Sequence, residues 1–332
     1  MATETMPLMK AINAGLRKAL EEDPKTLLMG EDVGRLGGVF RVTDGLYKDF
    51  GEERVVDTPL AESGIVGTAI GLALRGYRPI LEIQFDGFVY PAFDQITTQL
   101  AKMHARALGK LRMPVTIRMP YGGGIGSVEH HSESPEAYFA HTAGLRVVSP
   151  SDSSDAYWML QQAVRSDDPV LYLEPKRRYW QKGALDTAAE PSIGLHQARV
   201  HRPFEGDAPA DLTLIAYGPM VKTCLDAAAA AAAEGRRLEV VDLRSISPID
   251  FDTVQACVEA SGRALVVHEA PVFGAIGGEV AARITERCFY SLEAPVLRVG
   301  GYHAPYPPAK AEEEYLPGVD RVLEAVDRSM AY

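Results

Sequence analysis

His130 and His131 stand side by side in Glu129-His130-His131-Ser132-Glu133-Ser134-Pro135-Glu136, just after the glycine run Gly122-Gly123-Gly124-Ile125-Gly126. Imidazole titrates at roughly pH 6.5, so such a residue can serve as acid, base, hydrogen-bond donor or metal ligand. Each role needs company. Adjacent histidines in an extended segment point opposite ways, and no HxxxH or HExxH spacing occurs, which argues against zinc. A serine nucleophile would want a G-x-S-x-G elbow, and none is found. The glycines fit a dinucleotide fingerprint poorly because Ser127 takes the last glycine position, and no Gly-Lys-Ser/Thr follows for a phosphate loop. One histidine is left as acid, base or donor, with the other structural.

The second place for chemistry is Asp57-Thr58-Pro59-Leu60-Ala61-Glu62-Ser63-Gly64, which opens a helix. Glu62 is its first acid, and a carboxylate in the first turn is favoured by the helix dipole alone. Positions 64, 67 and 71 of that helix are all glycine. Each glycine costs about 1 kcal/mol against alanine, so three call for a packing reason such as another helix or a subunit seam.

The elements that must carry these residues alternate between strand and helix. Residues 8–22 read as a helix, 26–29 as a buried strand, 55–57 as a strand, 62–74 as a helix, 78–85 as a strand and 93–108 as a helix. A strand at 114–119 ends at the glycine run; strand 146–149, helix 152–165 and strand 170–173 follow. Periodicity fades over 181–210, and a second series begins: strands at 212–217, 238–243, 264–268 and 296–299 separated by helices at 219–234, 250–260 and 274–288. The alanine run Ala227–Ala233 is an ordinary helix ended by Gly235. The expected class is α/β with two open, mostly parallel sheets: residues 1–190, a linker at 191–210, and residues 211–332. Ligands of such sheets sit beyond the carboxyl ends of the strands, where the glycine run and the histidines lie.

Composition narrows the rest. With 332 residues, 46% hydrophobic and 24% charged, the chain is long enough for two domains of an ordinary globular protein. A net charge of −11 speaks against nucleic acid and would favour a basic protein partner. Cys224, Cys257 and Cys288 form no CxxC pair, which suits a reducing compartment. No run nears the ~20 apolar residues of a membrane span. The N-terminus has no basic segment followed by an apolar core, so a cytoplasmic protein is expected.

Three long stretches carry a resemblance: DTPLAESGIVGTAIGLALRGYRPILEIQFDGFVYPAFDQI at 57–96, EHHSESPEAYFAHTAGLRVVSPSDSSDA at 129–156 and DDPVLYLEPKRRYW at 167–180. With VVDLRSISPID and VVHEAPVFGAIGGEV further on, the chain resembles the beta subunits of thiamine-diphosphate-dependent 2-oxo acid dehydrogenases over nearly its whole length. The resemblance implies a thiamine-diphosphate-binding pyrimidine domain followed by a transketolase-like C-terminal domain. It implies that Glu62 hydrogen-bonds a nitrogen of the cofactor's aminopyrimidine, with Leu60 and Phe88 packed on that ring. His131 would donate a proton or hydrogen bond during acyl transfer to a lipoyl group, and His130 would be structural.

The family holds the magnesium diphosphate with a GDG segment and a later asparagine. This chain has no GDG, and Asn13 is its only asparagine. The resemblance therefore implies that a separate alpha subunit holds Mg2+ and the diphosphate in an α2β2 heterotetramer, and that a lipoylated acyltransferase component accepts the product. It also places a monovalent cation, K+, at Ala163, Ser166 and Asp168. Residues 131–141 and 174–179 are closer to branched-chain members, which implies a branched 2-oxo acid substrate such as 3-methyl-2-oxobutanoate. Pyruvate or acetoin is the close alternative. A non-catalytic docking subunit is the alternative of another kind, supported by the absent diphosphate motif and the acidic charge.

Overall fold

The computed structural model describes residues 3–206 and 208–332. Its strands are β1 (Glu4–Pro7), β2 (Thr26–Gly30), β3 (Val55–Asp57), β4 (Arg78–Glu82), β5 (Thr116–Tyr121), β6 (Arg146–Val148) and β7 (Val170–Pro175). There follow β8 (Lys182–Leu185), β9 (Arg199–His201), β10 (Leu212–Ala216), β11 (Leu238–Asp242), β12 (Ser245–Ser247), β13 (Ala264–Pro271) and β14 (Leu297–Gly301). One sheet has seven strands in the order β12-β6-β7-β5-β4-β2-β3, and a second has five in the order β14-β13-β10-β11-β9. All neighbours are parallel except β12 on β6 and β9 on β11. The expected pair of open, mostly parallel α/β sheets is the architecture found, with a small β1–β8 ribbon beside it.

Alternation along the strands builds the layers. Leu28, Ile80, Val170 and Tyr172 face helices Leu8–Glu22 and Ser153–Arg165, while Leu27, Met29, Leu81, Leu171 and Leu173 face helix Glu62–Leu74. That second core continues without a break through Phe139 and Tyr121 to Ile215, Val241 and Val266 of the five-stranded sheet. The halves also exchange structure: β12, from the second half of the chain, closes an edge of the first sheet, pairing Ser245 with Val148. Inside the first sheet, Arg118 is fully buried and donates to Glu82 and Glu174, each at 2.7 Å, while Tyr179 Oη donates to the other Glu174 oxygen at 2.6 Å. The network ties the carboxyl ends of β4, β5 and β7 together.

Three local expectations differ. The segment 93–108 is helical as far as Arg106 but irregular: after a 3-10 turn Asp86–Ala92 containing Pro91, a π-type turn Gln95–Gln99 and a 3-10 turn Leu100–Lys102 run into a short α-helix Met103–Arg106. The hydroxyls of Thr97 and Thr98 donate back to the carbonyls of Phe93 and Asp94, which loosens the regular ladder. The stretch 191–210 contains β9, whose three residues are too few to show a period. A last helix, Val319–Met330, packs on the alanine-rich helix Pro219–Ala233, burying Ala227, Ala228 and Ala231.

The second half also grips the histidine segment. Tyr217 Oη, at the end of β10, donates to Glu136 Oε1 at 2.6 Å, and burial pushes the Glu136 carboxyl up to about 7. A carboxyl with a higher pKa folded than unfolded gives stability that is complete below its unfolded value and is lost as pH rises through the folded one. Between about pH 4.5 and 8 the protein should therefore lose stability relative to its Glu136→Gln variant, on the order of 3 kcal/mol across the range. Denaturant unfolding at several pH values checks this; a gap that stays constant with pH would show that Glu136 ionises as an exposed carboxyl does.

Candidate active site

The segments that follow β2, β3, β4, β5 and β7 meet at the carboxyl edge of the seven-stranded sheet. At their centre is Asp86, fully buried. Lys176 Nζ, also fully buried, donates to its Oδ1 at 2.8 Å, and the backbone N–H of Glu133 donates to its Oδ2 at 2.9 Å. Burial raises the Asp86 carboxyl to about 6, against the pull of Lys176; burial likewise lowers the Lys176 ammonium. One carboxylate thus joins the turn that carries Phe88, the end of β7 and the segment after His131.

Around that anchor Phe85 stacks on the His131 ring at 3.9 Å and 18°, and Phe88 meets it edge-on at 5.1 Å and 88°. His131 Nδ1 lies 2.9 Å from the His130 carbonyl. A carbonyl only accepts, so Nδ1 carries a hydrogen and Nε2 is the free nitrogen. The histidines do not point opposite ways as an extended segment would have them. Glu129–His131 forms a 3-10 turn, and the two rings sit 4.2 Å apart, with His130 exposed. The His130 carbonyl lies so close to Gly87 that a Cβ there would collide with it. Gly87 is what lets the two turns touch.

Glu62 opens helix Glu62–Leu74, which packs on the Phe88 turn. It is 6% exposed, and its carboxylate makes no hydrogen bond or ion pair among the described residues. Beside it, burial and then the Glu62 charge raise the Glu31 carboxyl, whose Oε1 is buried without a partner among the described residues. Leu60 is 79% exposed. The packing reason expected for the helix glycines is not supplied among the described residues. A Cβ at Gly71 would meet nothing within 4 Å, and one at Gly64 or Gly67 would make only ordinary contact. This face of small residues is open.

The structure therefore brings Phe88 and His131 together through two touching turns, and the helix that Glu62 opens packs on the first of them, with Leu60 two residues before it in the chain. Sequence reasoning passed over Phe85, Asp86, Lys176 and Glu31. Phe85 and Asp86 border Phe88, but the Asp86–Lys176 pair spans 90 residues and leaves no local signature. Ala163, Ser166 and Asp168 also come together, but before β7, at the opposite edge of the sheet. There the Ala163 carbonyl accepts from Ser166 N at 3.1 Å, the Ser166 carbonyl from Arg78 Nη1 at 2.9 Å, and the Asp168 carboxylate from Arg146 Nε at 2.9 Å. Among the described residues no group of three or more His, Cys, Asp or Glu could hold a metal ion, and no helix is long and apolar enough to cross a membrane. A cleft of about 810 Å3 between the halves, lined by Phe93, Tyr138, His141, Ile246 and Glu279, holds neither Glu62 nor His131. The reactive groups line an open face instead.

Comparison with known proteins bears on that face. Residues 4–181 match the family described as the transketolase, pyrimidine binding domain, and residues 205–322 match the transketolase, C-terminal domain. The chain is 61% identical over 329 residues to the pyruvate dehydrogenase E1 component subunit beta of Leifsonia xyli subsp. xyli, covering 99% of this chain and 96% of that one. It is 52% identical over 328 residues to the 3-methyl-2-oxobutanoate dehydrogenase subunit beta of Mycobacterium tuberculosis, covering 98% and 92%. A solved split-gene transketolase, described as an inactive beta4 tetramer, shares the fold at a TM-score of 0.78 over 98% of both chains, with 23% identity. Two transketolase-type domains in this order and these relatives along nearly the whole length place the chain in the E1 beta-subunit family of 2-oxo acid dehydrogenases.

Proposed function

We propose that this chain provides the pyrimidine side of a thiamine-diphosphate site completed by an alpha subunit, and that the assembled enzyme decarboxylates a 2-oxo acid and passes the acyl group to a lipoylated acyltransferase. The carrying observation is Glu62, a residue only 6% exposed whose carboxylate makes no hydrogen bond or ion pair among the described residues, at the edge of an open face. Such a group fits a protonated aminopyrimidine nitrogen, which would answer it with a charge-assisted hydrogen bond. Phe88, half-buried, and exposed Leu60 offer apolar surface to the ring. Thiamine diphosphate, when bound, supplies the carbanion chemistry for cleavage next to a 2-oxo group.

The diphosphate end finds no such match. The only asparagine, Asn13, donates its side-chain amide to the carbonyls of Val42 and Asp44 at 2.7 and 3.1 Å, so it is spent on a loop. Mg2+ and the diphosphate accordingly belong to the alpha subunit in this reading. The open face with Gly64, Gly67 and Gly71 is where a partner helix could approach closely, consistent with an α2β2 assembly. The charge of −11 suits a basic docking segment of the acyltransferase.

His131 is the acyl-transfer residue in this proposal: Nδ1–H is fixed by a carbonyl, leaving Nε2 to give or take a proton. For the substrate we favour a branched 2-oxo acid, from the likeness of residues 131–141 and 174–179 to branched-chain members. The 61% identity to a pyruvate dehydrogenase beta subunit favours pyruvate as the second reading.

In the complex reconstituted with its alpha subunit, Glu62→Gln should cut turnover by about 100-fold or more with assembly retained. His131→Ala should keep decarboxylation with an artificial acceptor and transfer only poorly to lipoyl. Near-normal turnover of Glu62→Gln would favour a docking subunit instead, and equal losses in both assays of His131→Ala would remove its transfer role. Turnover of 3-methyl-2-oxobutanoate should exceed that of pyruvate in kcat/KM; a preference for pyruvate of about tenfold, or about 1.4 kcal/mol, would reverse the substrate choice.

A further inference from the structure

Three backbone amides of the glycine run point at carboxylates from the other half of the chain. Gly123 N donates to Glu269 Oε1 near the end of β13, while Gly124 N and Gly126 N donate to Glu312 Oε1 and Oε2 at 2.8 and 2.9 Å. Both carboxylates are held in turn: Arg177 Nη1 donates to Glu269 at 3.3 Å, and Tyr306 Oη to Glu312 at 2.7 Å. Glu269 and Glu312 are buried. A concave run of N–H groups is an anion receptor, and here protein carboxylates fill it with charge-assisted bonds. The loop is shaped for that fit. Gly124 sits at φ +86, and a Cβ on Gly123 would collide with the Tyr306 hydroxyl.

His131 follows this clamped loop by five residues, and Glu136, five residues later, is gripped by Tyr217. Both ends of the histidine segment are thus tied to the second half, whereas its stacking partner Phe85 belongs to the first. We propose that Glu269 and Glu312 are positioning residues that set the reach of His131, so that the second half of the chain governs the acyl-transfer step. This assignment rests on the role given to His131 above.

Glu312→Gln tests it, because the amide keeps the size but has one accepting oxygen and turns an NH2 toward a loop N–H. In the reconstituted complex, hydrogen exchange of the peptide spanning 122–134 should rise at least about fivefold while 26–30 stays protected. Acyl transfer to lipoyl should fall about tenfold in an otherwise native chain and no further in a His131→Ala background, since residues acting through one group are not additive. Glu312→Asp, which keeps two acceptors, should recover part of the loss. Unchanged exchange, or the same fold-loss in both backgrounds, would overturn the positioning role. An unaltered complex that transfers no acyl group at all would instead sink the functional reading, which separates the two failures.

Discussion

The arrangement of the site depends on one buried carboxylate. Asp86 has no solvent to satisfy it, so it holds both the Lys176 ammonium and the Glu133 amide, and these come from different segments. Removing one partner of a buried pair leaves an uncompensated charge, at a cost of roughly 3–5 kcal/mol. That penalty makes the pair a constraint on geometry whatever its net contribution to stability. With Asp86 fixed, Phe85 and Phe88 flank it at set angles, and the chain after His131 is pinned against the same turn. His131, two residues before the tethered Glu133 amide, lies on Phe85, the residue before Asp86.

The same edge of the sheet also carries an unpaired buried oxygen and uncovered small residues. The Glu31 oxygen beside Glu62, buried and unpaired among the described residues, is a polar group that a self-sufficient fold would pair. Leu60 and the three helix glycines form a surface that a self-sufficient fold would cover. Polar groups and small residues left open side by side fit a site finished by a second chain. The opposite edge of the sheet, by contrast, is closed on itself by Arg78 and Arg146.

Much of the fold is legible in the sequence. Helices such as Leu8–Glu22 and the buried parallel strands declare themselves through periodicity, and the resemblance of residues 57–96 and 129–156 pointed to Glu62 and His131. What escaped was non-local or too short. β9 and β12 are three-residue edge strands whose partners lie far along the chain. The helix expected over 93–108 forms as far as Arg106 but departs from regular α geometry where threonine hydroxyls share its carbonyls. The orientation of the two histidines was misjudged because a turn, enforced by contact with Gly87, replaced the extended segment. The clamp of Glu269 and Glu312 on the glycine run joins residues 146 to 188 positions apart, beyond any local pattern.

In the proposed function this chain furnishes the ring end of a shared cofactor site and leaves the diphosphate end to its partner. Calorimetric titration of thiamine diphosphate with Mg2+ into the chain alone, and into the chain assembled with its alpha subunit, tests it directly. Saturable, magnesium-dependent binding should appear only with the alpha subunit present. Binding of similar affinity by the chain alone would contradict the account.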